Sequence, residues 1–259
     1  MAHEKGNSGR LRVVTLSHSV QVNAGGGKVV GIVGGLGPET TAKFFDDLNS
    51  RFRKLASVNP SVVVDNVRMP LLEERKLVRG SKSRKVLGLL EDSVMRLNAT
   101  DANFIVIPCN TVHVFIEELR QVSEIQILSI TEETARALAE RGIHKVGLLA
   151  TNGTVKNKVF EKSLSERKIT AVLPNGEEQA TITNTILNIL NGNSGIIDRM
   201  NIDIIRNRLI ERGAEAVILA CTDLQLIANN DESEIETIDT LKVLEDAVLR
   251  EMQDKNDAK

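Results

Sequence analysis

The feature that most limits what this chain can fold into is a pattern that occurs twice. Val30-Gly31-Ile32-Val33-Gly34-Gly35 opens one stretch, and Lys145-Val146-Gly147-Leu148-Leu149-Ala150-Thr151 opens another. Cys109 follows Gly31 by 78 residues and Cys221 follows Gly147 by 74. Each cysteine sits just after a run of apolar residues, in Ile107-Pro108-Cys109-Asn110-Thr111 and Leu219-Ala220-Cys221-Thr222-Asp223. Two halves that each start with a glycine-bearing apolar run and later carry a cysteine at the end of another point to two related lobes.

The runs themselves give the fold class. Strands are expected at 29–33, 62–65, 104–107, 125–128, 146–149, 170–173, 216–219 and 236–238. Most are uninterrupted apolar segments, as strands read when both faces of a parallel sheet are covered. Amphipathic stretches lie between them, at 39–55, 81–97, 111–122, 131–141, 154–166, 177–190, 199–212 and 240–252. The alternation predicts an α/β fold of two pseudo-symmetric lobes, each a mostly parallel sheet flanked by helices. Residues 1–27 read as a polar tail, 28–128 as the first lobe and 129–239 as the second. In open α/β sheets ligands bind beyond the carboxyl ends of the strands, so the expected active site is the cleft between the lobes, with both cysteines in it.

Composition narrows the function classes. The formal net charge is −2, and the chain has six Phe with no Tyr or Trp. That gives no electrostatic footprint for nucleic acid and little to stack on bases. No apolar run approaches the ~20 residues of a membrane span, and the first 27 residues lack a signal-peptide pattern. A cytoplasmic protein without nucleic-acid or membrane partners is expected. Two cysteines in such a chain are not a disulfide framework.

Two thiols facing one another suit a particular reaction. Inverting a carbon next to a carboxylate needs a base on one face and an acid on the other, exchanging roles in the reverse direction. A thiol, with an ordinary pKa of about 8.5, is expected to be drawn toward neutrality where strand passes into helix, because amide N–H groups favour negative charge there. Asn110, Thr111 and Thr222 would share that environment and suit a substrate carboxylate. Asp223 is a candidate partner for the substrate ammonium, with helix capping as its alternative role. Thr151 and Thr154 lie in the loop expected to face the first lobe's glycines, and Gln179 is a weaker candidate. His113, four residues after Cys109, either helps set the thiol's protonation or is structural. The loop from Gly31 to Gly37 lacks G-x-G-x-x-G spacing, and Asp65 lies 28 residues past Gly37, which disfavours a dinucleotide site.

At these residues the chain resembles the aspartate/glutamate racemase family, and in particular its aspartate racemase branch. The matching segments are Gly31-Ile32-Val33-Gly34-Gly35-Leu36-Gly37-Pro38-Glu39-Thr40-Thr41, Ile107-Pro108-Cys109-Asn110-Thr111-Val112-His113, Leu149-Ala150-Thr151-Asn152-Gly153-Thr154 and Leu219-Ala220-Cys221-Thr222-Asp223-Leu224. They follow the family's order over about residues 28 to 254. The resemblance implies a two-lobed homodimer acting on a small amino-acid substrate. It implies Cys109 and Cys221 as catalytic residues, and neither pyridoxal phosphate nor metal. It implies a C-terminal helix, within 240–254, packing back on the first lobe.

The substrate contacts it suggests are Gly35, Thr41, Asn66, Arg68, Asn110, Thr111, Thr151, Thr222 and Asp223. Similar aspartate racemases hold two carboxylates with an Arg after the second strand and a Lys in the second lobe. Here Arg68 or Arg75 stands near the first place, neither on the family position, and Asn191 stands at the second. Two further readings remain. One is a maleate-isomerase-like or related cysteine enzyme of the same superfamily acting on a dicarboxylate, where a thiol attacks as a nucleophile. The other is a binding protein that keeps the cleft without turnover.

Overall fold

The computed structural model describes residues 27–227 and 236–253. Its elements run β1 (Val29–Gly34), α1 (Pro38–Ala56), β2 (Ser61–Asn66), α2 (Leu71–Val78), α3 (Arg84–Asn98), β3 (Phe104–Val106), α4 (Ile116–Val122), β4 (Gln126–Leu128) and α5 (Ile130–Glu140). Then follow β5 (Lys145–Ala150), α6 (Asn152–Lys156), α7 (Glu161–Glu166), β6 (Thr170–Val172), α8 (Gly176–Leu190), α9 (Ile196–Glu211), β7 (Ala216–Ala220), β8 (Thr237–Asp239) and α10 (Thr240–Gln253). Short 3₁₀ turns occupy Thr111–Phe115 and Thr222–Leu226.

Two four-stranded sheets result, ordered β2-β1-β3-β4 and β6-β5-β7-β8. All pairings are parallel. The second order is the first with every strand advanced by four, so the doubled sequence pattern becomes a doubled topology. The sidedness of β1 shows why its run is apolar throughout. Val30 and Ile32 pack toward α1 and α10, while Val33 joins the cluster under α3 on the opposite face. Both faces are covered, as a parallel sheet requires. Glycines occupy matching places in the two lobes. A Cβ on Gly31 would lie 3.4 Å from Leu97 Cδ1, and one on Gly147 would lie 3.0 Å from Leu209 Cβ. In each case a helix side chain presses close to the first strand.

The lobes are tied on two sides. Helix α10 leaves β8 of the second lobe, yet its Leu241, Leu244, Val248 and Met252 fill the first lobe's core beside Phe44, Leu48 and Phe104. On the other side lies α2, which straddles the lobes: Leu77 belongs to the first lobe's core and Val78 to the second's. Its C-terminal end is seated tightly on α6. A Cβ on Gly153 would come within 2.2 Å of the Leu77 carbonyl oxygen, and Asn152 Nδ2 donates to the Arg79 carbonyl at 2.9 Å.

All eight expected strands form, with ends shifted by a residue or two. Three helical readings differ. The single helix expected at 111–122 begins as a 3₁₀ turn before α4. The one expected at 154–166 is broken into α6 and α7, with Lys158 at φ 56° between them. Helix α2 has no counterpart in the expected set.

Gly153→Ala should lower the unfolding free energy by about 1–3 kcal/mol, the usual range for overpacking. The helix-propensity gain of about 1 kcal/mol acts the other way and is outweighed, because the close atom is backbone. Urea unfolding checks this: the midpoint should fall without a change of slope.

Candidate active site

The carboxyl ends of β3 and β7 face one another across the cleft, and the chain turning out of each presents its cysteine. The pocket between them holds about 440 Å³ of empty space, open mouth included. Cys109, Asn110, Thr111, Thr151, Cys221, Thr222 and Asp223 form its polar wall. Leu36, Met69, Leu77, Val78, Val112 and Leu190 make the apolar one, with Glu74 among them. Cys221 is buried, and Cys109 keeps part of its surface open to the pocket.

Hydrogen bonds between the lobes hold this wall in place. Thr40 Oγ1, from the start of α1, donates to Asp223 Oδ1 at 2.6 Å. Gly37, at φ 91°, lets its loop come this close, since a Cβ there would lie 2.9 Å from the same oxygen. Asn110 Nδ2 donates to Thr240 Oγ1 at 2.9 Å, and that hydroxyl donates to the Leu219 carbonyl at 3.0 Å. The hydroxyls of Thr111, Thr151 and Thr154 form a buried triangle with sides of 3.0 to 3.3 Å. Thr222 Oγ1 donates to the Pro108 carbonyl at 3.4 Å. The polar wall is therefore complete only with both lobes in contact.

The thiols are held in the neutral form. Burial pushes Cys109 up to about 12, against the backbone amides of Val112 and Thr111, which favour the thiolate, while the Asp223 carboxylate adds to the rise. Cys221 is raised well above its ordinary value by burial and then by Asp223, whose Oδ2 lies 3.7 Å from Sγ. The expectation that strand-to-helix junctions bring the thiol pKa down toward neutral pH is corrected here. A helix terminus contributes about 0.3–1 kcal/mol, and these turns are single 3₁₀ segments. A rise from 9.0 to about 12 corresponds to roughly 4 kcal/mol, so desolvation prevails in the empty pocket.

Asp223 is itself raised by burial, partly offset by its bonds from Thr40 and Cys221. Asn110 Oδ1 is buried without a hydrogen-bond partner among the described residues, which is costly unless a donor arrives. His113 stands behind the site. Its Nδ1 lies 2.8 Å from the Cys109 carbonyl and its Nε2 accepts from the Ile130 amide at 3.2 Å. Those partners require the neutral ring with Nδ1 protonated, and burial holds its pKa down to about 4. It shapes the Cys109 turn and carries no exchangeable proton toward the pocket.

Of the residues singled out in the sequence, Cys109, Asn110, Thr111, Thr151, Cys221, Thr222 and Asp223 come together in one wall. Gly35, Thr41, Asn66 and Arg68 do not line it. Thr41 Oγ1 accepts from the Gly35 amide at 3.1 Å and bonds the Gly37 carbonyl at 3.2 Å, so this pair shapes the first loop. Asn66 and Arg68 are exposed. Arg75 also points away and donates to Asn191 Oδ1 at 2.6 Å. Thus the two positions where the sequence departs from the dicarboxylate-holding pattern meet outside the pocket. Gln179 Nε2 donates to the Ala150 carbonyl at 2.9 Å, behind the wall. The contributions of α2 were not foreseen. Pro70 at its cap and Glu73 and Glu74 in its first turn are the start signals that would have marked it.

Comparison with known proteins places this geometry. The family profile described as Asp/Glu/Hydantoin racemase matches residues 33–248. The broad specificity amino-acid racemase RacX of Bacillus subtilis (strain 168) is 25% identical over 217 residues, which is 82% of this chain and 92% of that protein. The structure of Picrophilus torridus aspartate racemase is 26% identical with a TM-score of 0.73, over 87% of this chain and 94% of that one. An aspartate racemase homologue from Pyrococcus horikoshii OT3 shares the fold at a TM-score of 0.71 and 21% identity, over 88% of this chain and all of its own. Among the described residues no helix is long and apolar enough to cross a membrane.

With its thiol this high, alkylation of Cys109 by iodoacetamide in the empty protein should accelerate about tenfold per pH unit from 7 to 10 without levelling. A plateau near pH 8 would contradict that state. For His113, the folded pKa lies below the ordinary 6.5, so the unfolded chain binds more protons and acid costs stability between pH 6.5 and 4. The penalty of His113→Gln should therefore be greatest near pH 8 and shrink by about 3 kcal/mol toward pH 4, as read by urea unfolding of both proteins at each pH.

Proposed function

The chain belongs to the Asp/Glu/Hydantoin racemase family, and from that premise we propose that it is a cofactor-independent amino-acid racemase whose proton-transferring pair is Cys109 and Cys221. The observation that carries this reading is the placement of both cysteines in one pocket wall, each at the end of an equivalent strand from a different lobe. A carbon held between them meets a sulfur on each face.

In one direction, one cysteine as thiolate removes the Cα proton and becomes a neutral thiol. The electron pair left on Cα delocalises into the α-carboxylate. The other cysteine, initially neutral, then delivers its proton to the opposite face and becomes the thiolate. The products are the inverted amino acid and the same two thiols with their protonation exchanged, which is the starting state for the reverse reaction. Neither proton nor charge is lost in the cycle.

The pocket's polar groups divide between the two ends of the substrate. Asp223 and the unpaired Asn110 Oδ1 suit the α-ammonium, which must stay protonated to acidify Cα. The hydroxyls of Thr111, Thr151 and Thr222 suit the carboxylate, whose charge grows as Cα loses its proton. An ammonium beside Asp223 also answers the high thiol pKa. It cancels the carboxylate charge that pushes both cysteines up, and the positive charge favours a thiolate within reach. Substrate and base are thus activated by the same contact.

The test is incubation of the protein in D₂O with each common L-amino acid, following loss of the Cα proton by NMR and formation of the D-form by chiral chromatography. Exchange and inversion of at least one amino acid are expected. Cys109→Ala and Cys221→Ala should each reduce inversion by about 10³-fold, within the usual range for positioned acid–base groups. A failure of every amino acid to exchange, with maleate forming a stable adduct on one thiol, would sink the racemase reading in favour of the isomerase-like one.

A further inference from the structure

Among the described residues the pocket wall contains no Lys, Arg or His, and its one charged side chain apart from Asp223 is Glu74. Arg68 is exposed outside it, and Arg75 is engaged with Asn191. Glu74 is half-buried on α2, beside Glu73, which pairs with Lys76 at 3.1 Å, and Arg75, which bonds the neutral Asn191. No hydrogen bond or ion pair reaches the Glu74 carboxylate among the described residues. It shares the pocket lining with Met69, Leu77 and Leu190, whose side chains make an apolar sleeve. Burial raises its pKa, and the charges of Asp223 and Glu39 raise it further, while Arg75 opposes the rise. Two carboxyl groups thus share a poorly hydrated pocket that also holds two thiols.

We propose that Glu74 is the specificity-determining residue for the substrate side chain, and that the preferred substrate is an amino acid with an extended basic side chain rather than a dicarboxylic one. The inference rests on the racemase reading above and adds its substrate class. With its α-ammonium at Asp223 and its α-carboxylate at the threonines, the substrate directs its side chain along the sleeve toward Glu74. A methylene chain matches the apolar wall, and a terminal cation pairs with the carboxylate. A second substrate carboxylate would instead meet Glu74 with no cation among the described lining residues to pair with either group, which is an unfavourable way to bury charge. The Arg75–Asn191 bond has the same meaning, because Arg75, the α2 cation next to Glu74 in sequence, is exposed and held outside the pocket wall.

The experiment compares kcat/KM for lysine, ornithine, norleucine, glutamate and aspartate in the intact protein and in Glu74→Gln and Glu74→Lys. Norleucine has nearly the shape of lysine without the terminal charge, so the lysine-to-norleucine ratio reads Glu74 alone. That ratio should be about 10²-fold in the unaltered protein and fall to near unity in E74Q, mostly through KM. E74K should reverse the order, bringing glutamate above lysine. Cysteine-dependent exchange with norleucine or glutamate favoured over lysine, or a ratio unmoved by E74Q, would overturn this inference and leave the racemase reading standing. Exchange with none of the five, nor with any other amino acid, would overturn both.

Discussion

Removing two thiols from water at the facing edges of two sheets governs most of what this molecule does. Sulfur at these positions is shielded by β3 and β7 beneath, by α2 above and by the loop of Gly37 at one side. In such surroundings the neutral form wins over the modest pull of nearby amides, and both cysteines rest protonated. A reactive thiolate in the empty protein would be open to oxidation and alkylation. In the proposed mechanism the ionisation is drawn out by a bound ammonium, which couples reactivity to occupancy. The same dryness sharpens every charge in the pocket, so the positions of Asp223 and Glu74 weigh more than the whole surface charge of the chain.

Dryness depends on keeping the lobes together, and the fold does this with elements from opposite ends of the topology. Helix α10 is connected to the second lobe and buried in the first. A lobe that lost it would expose Phe44, Leu48 and Phe104 together, so separation of the lobes is costly on that side. On the α2 side Leu77 and Val78 dock into the two cores, and polar bonds flank them. The Asn152–Arg79 and Arg75–Asn191 bonds lie at the surface, where a hydrogen bond contributes about 1 kcal/mol at most. The lobes are therefore held on both sides, by α10 through a broad apolar face and by α2 through a smaller one with polar bonds at its rim.

Much of this was legible in the residues, for identifiable reasons. Parallel strands covered on both faces leave continuous apolar runs, so all eight were found, and the repeat of glycine-bearing strand and cysteine gave the two lobes. Most of the polar wall followed because it is contiguous in sequence with the cysteines, and Thr151 followed from the loop after the second lobe's first strand. What escaped was set by tertiary contact. Helix α2 has eight residues, and Leu71 and Leu72 at its start are exposed, so no apolar stripe announces it. Its place comes from Leu77 and Val78 docking into two different cores. The thiol states also escaped, because a helix-terminus rule reads local geometry while desolvation depends on everything packed around the sulfur.

The position of Asp223 joins these threads. A carboxylate two residues from a cysteine reads, in sequence, as an obstacle to forming a thiolate, and in the empty pocket it is one. Yet Thr40 and the glycine loop of the other lobe are built to hold it there, with a 2.6 Å hydrogen bond and a backbone that tolerates no Cβ. A group that raises the barrier in the resting state and lowers it once neutralised by a cation acts as a gate on ionisation. Replacing it with a neutral side chain would ease thiolate formation in the empty site while removing the partner that the substrate ammonium needs. In the proposed mechanism the carboxylate links binding to base strength, and the contact across the lobes from Thr40 keeps it beside the Cys221 sulfur.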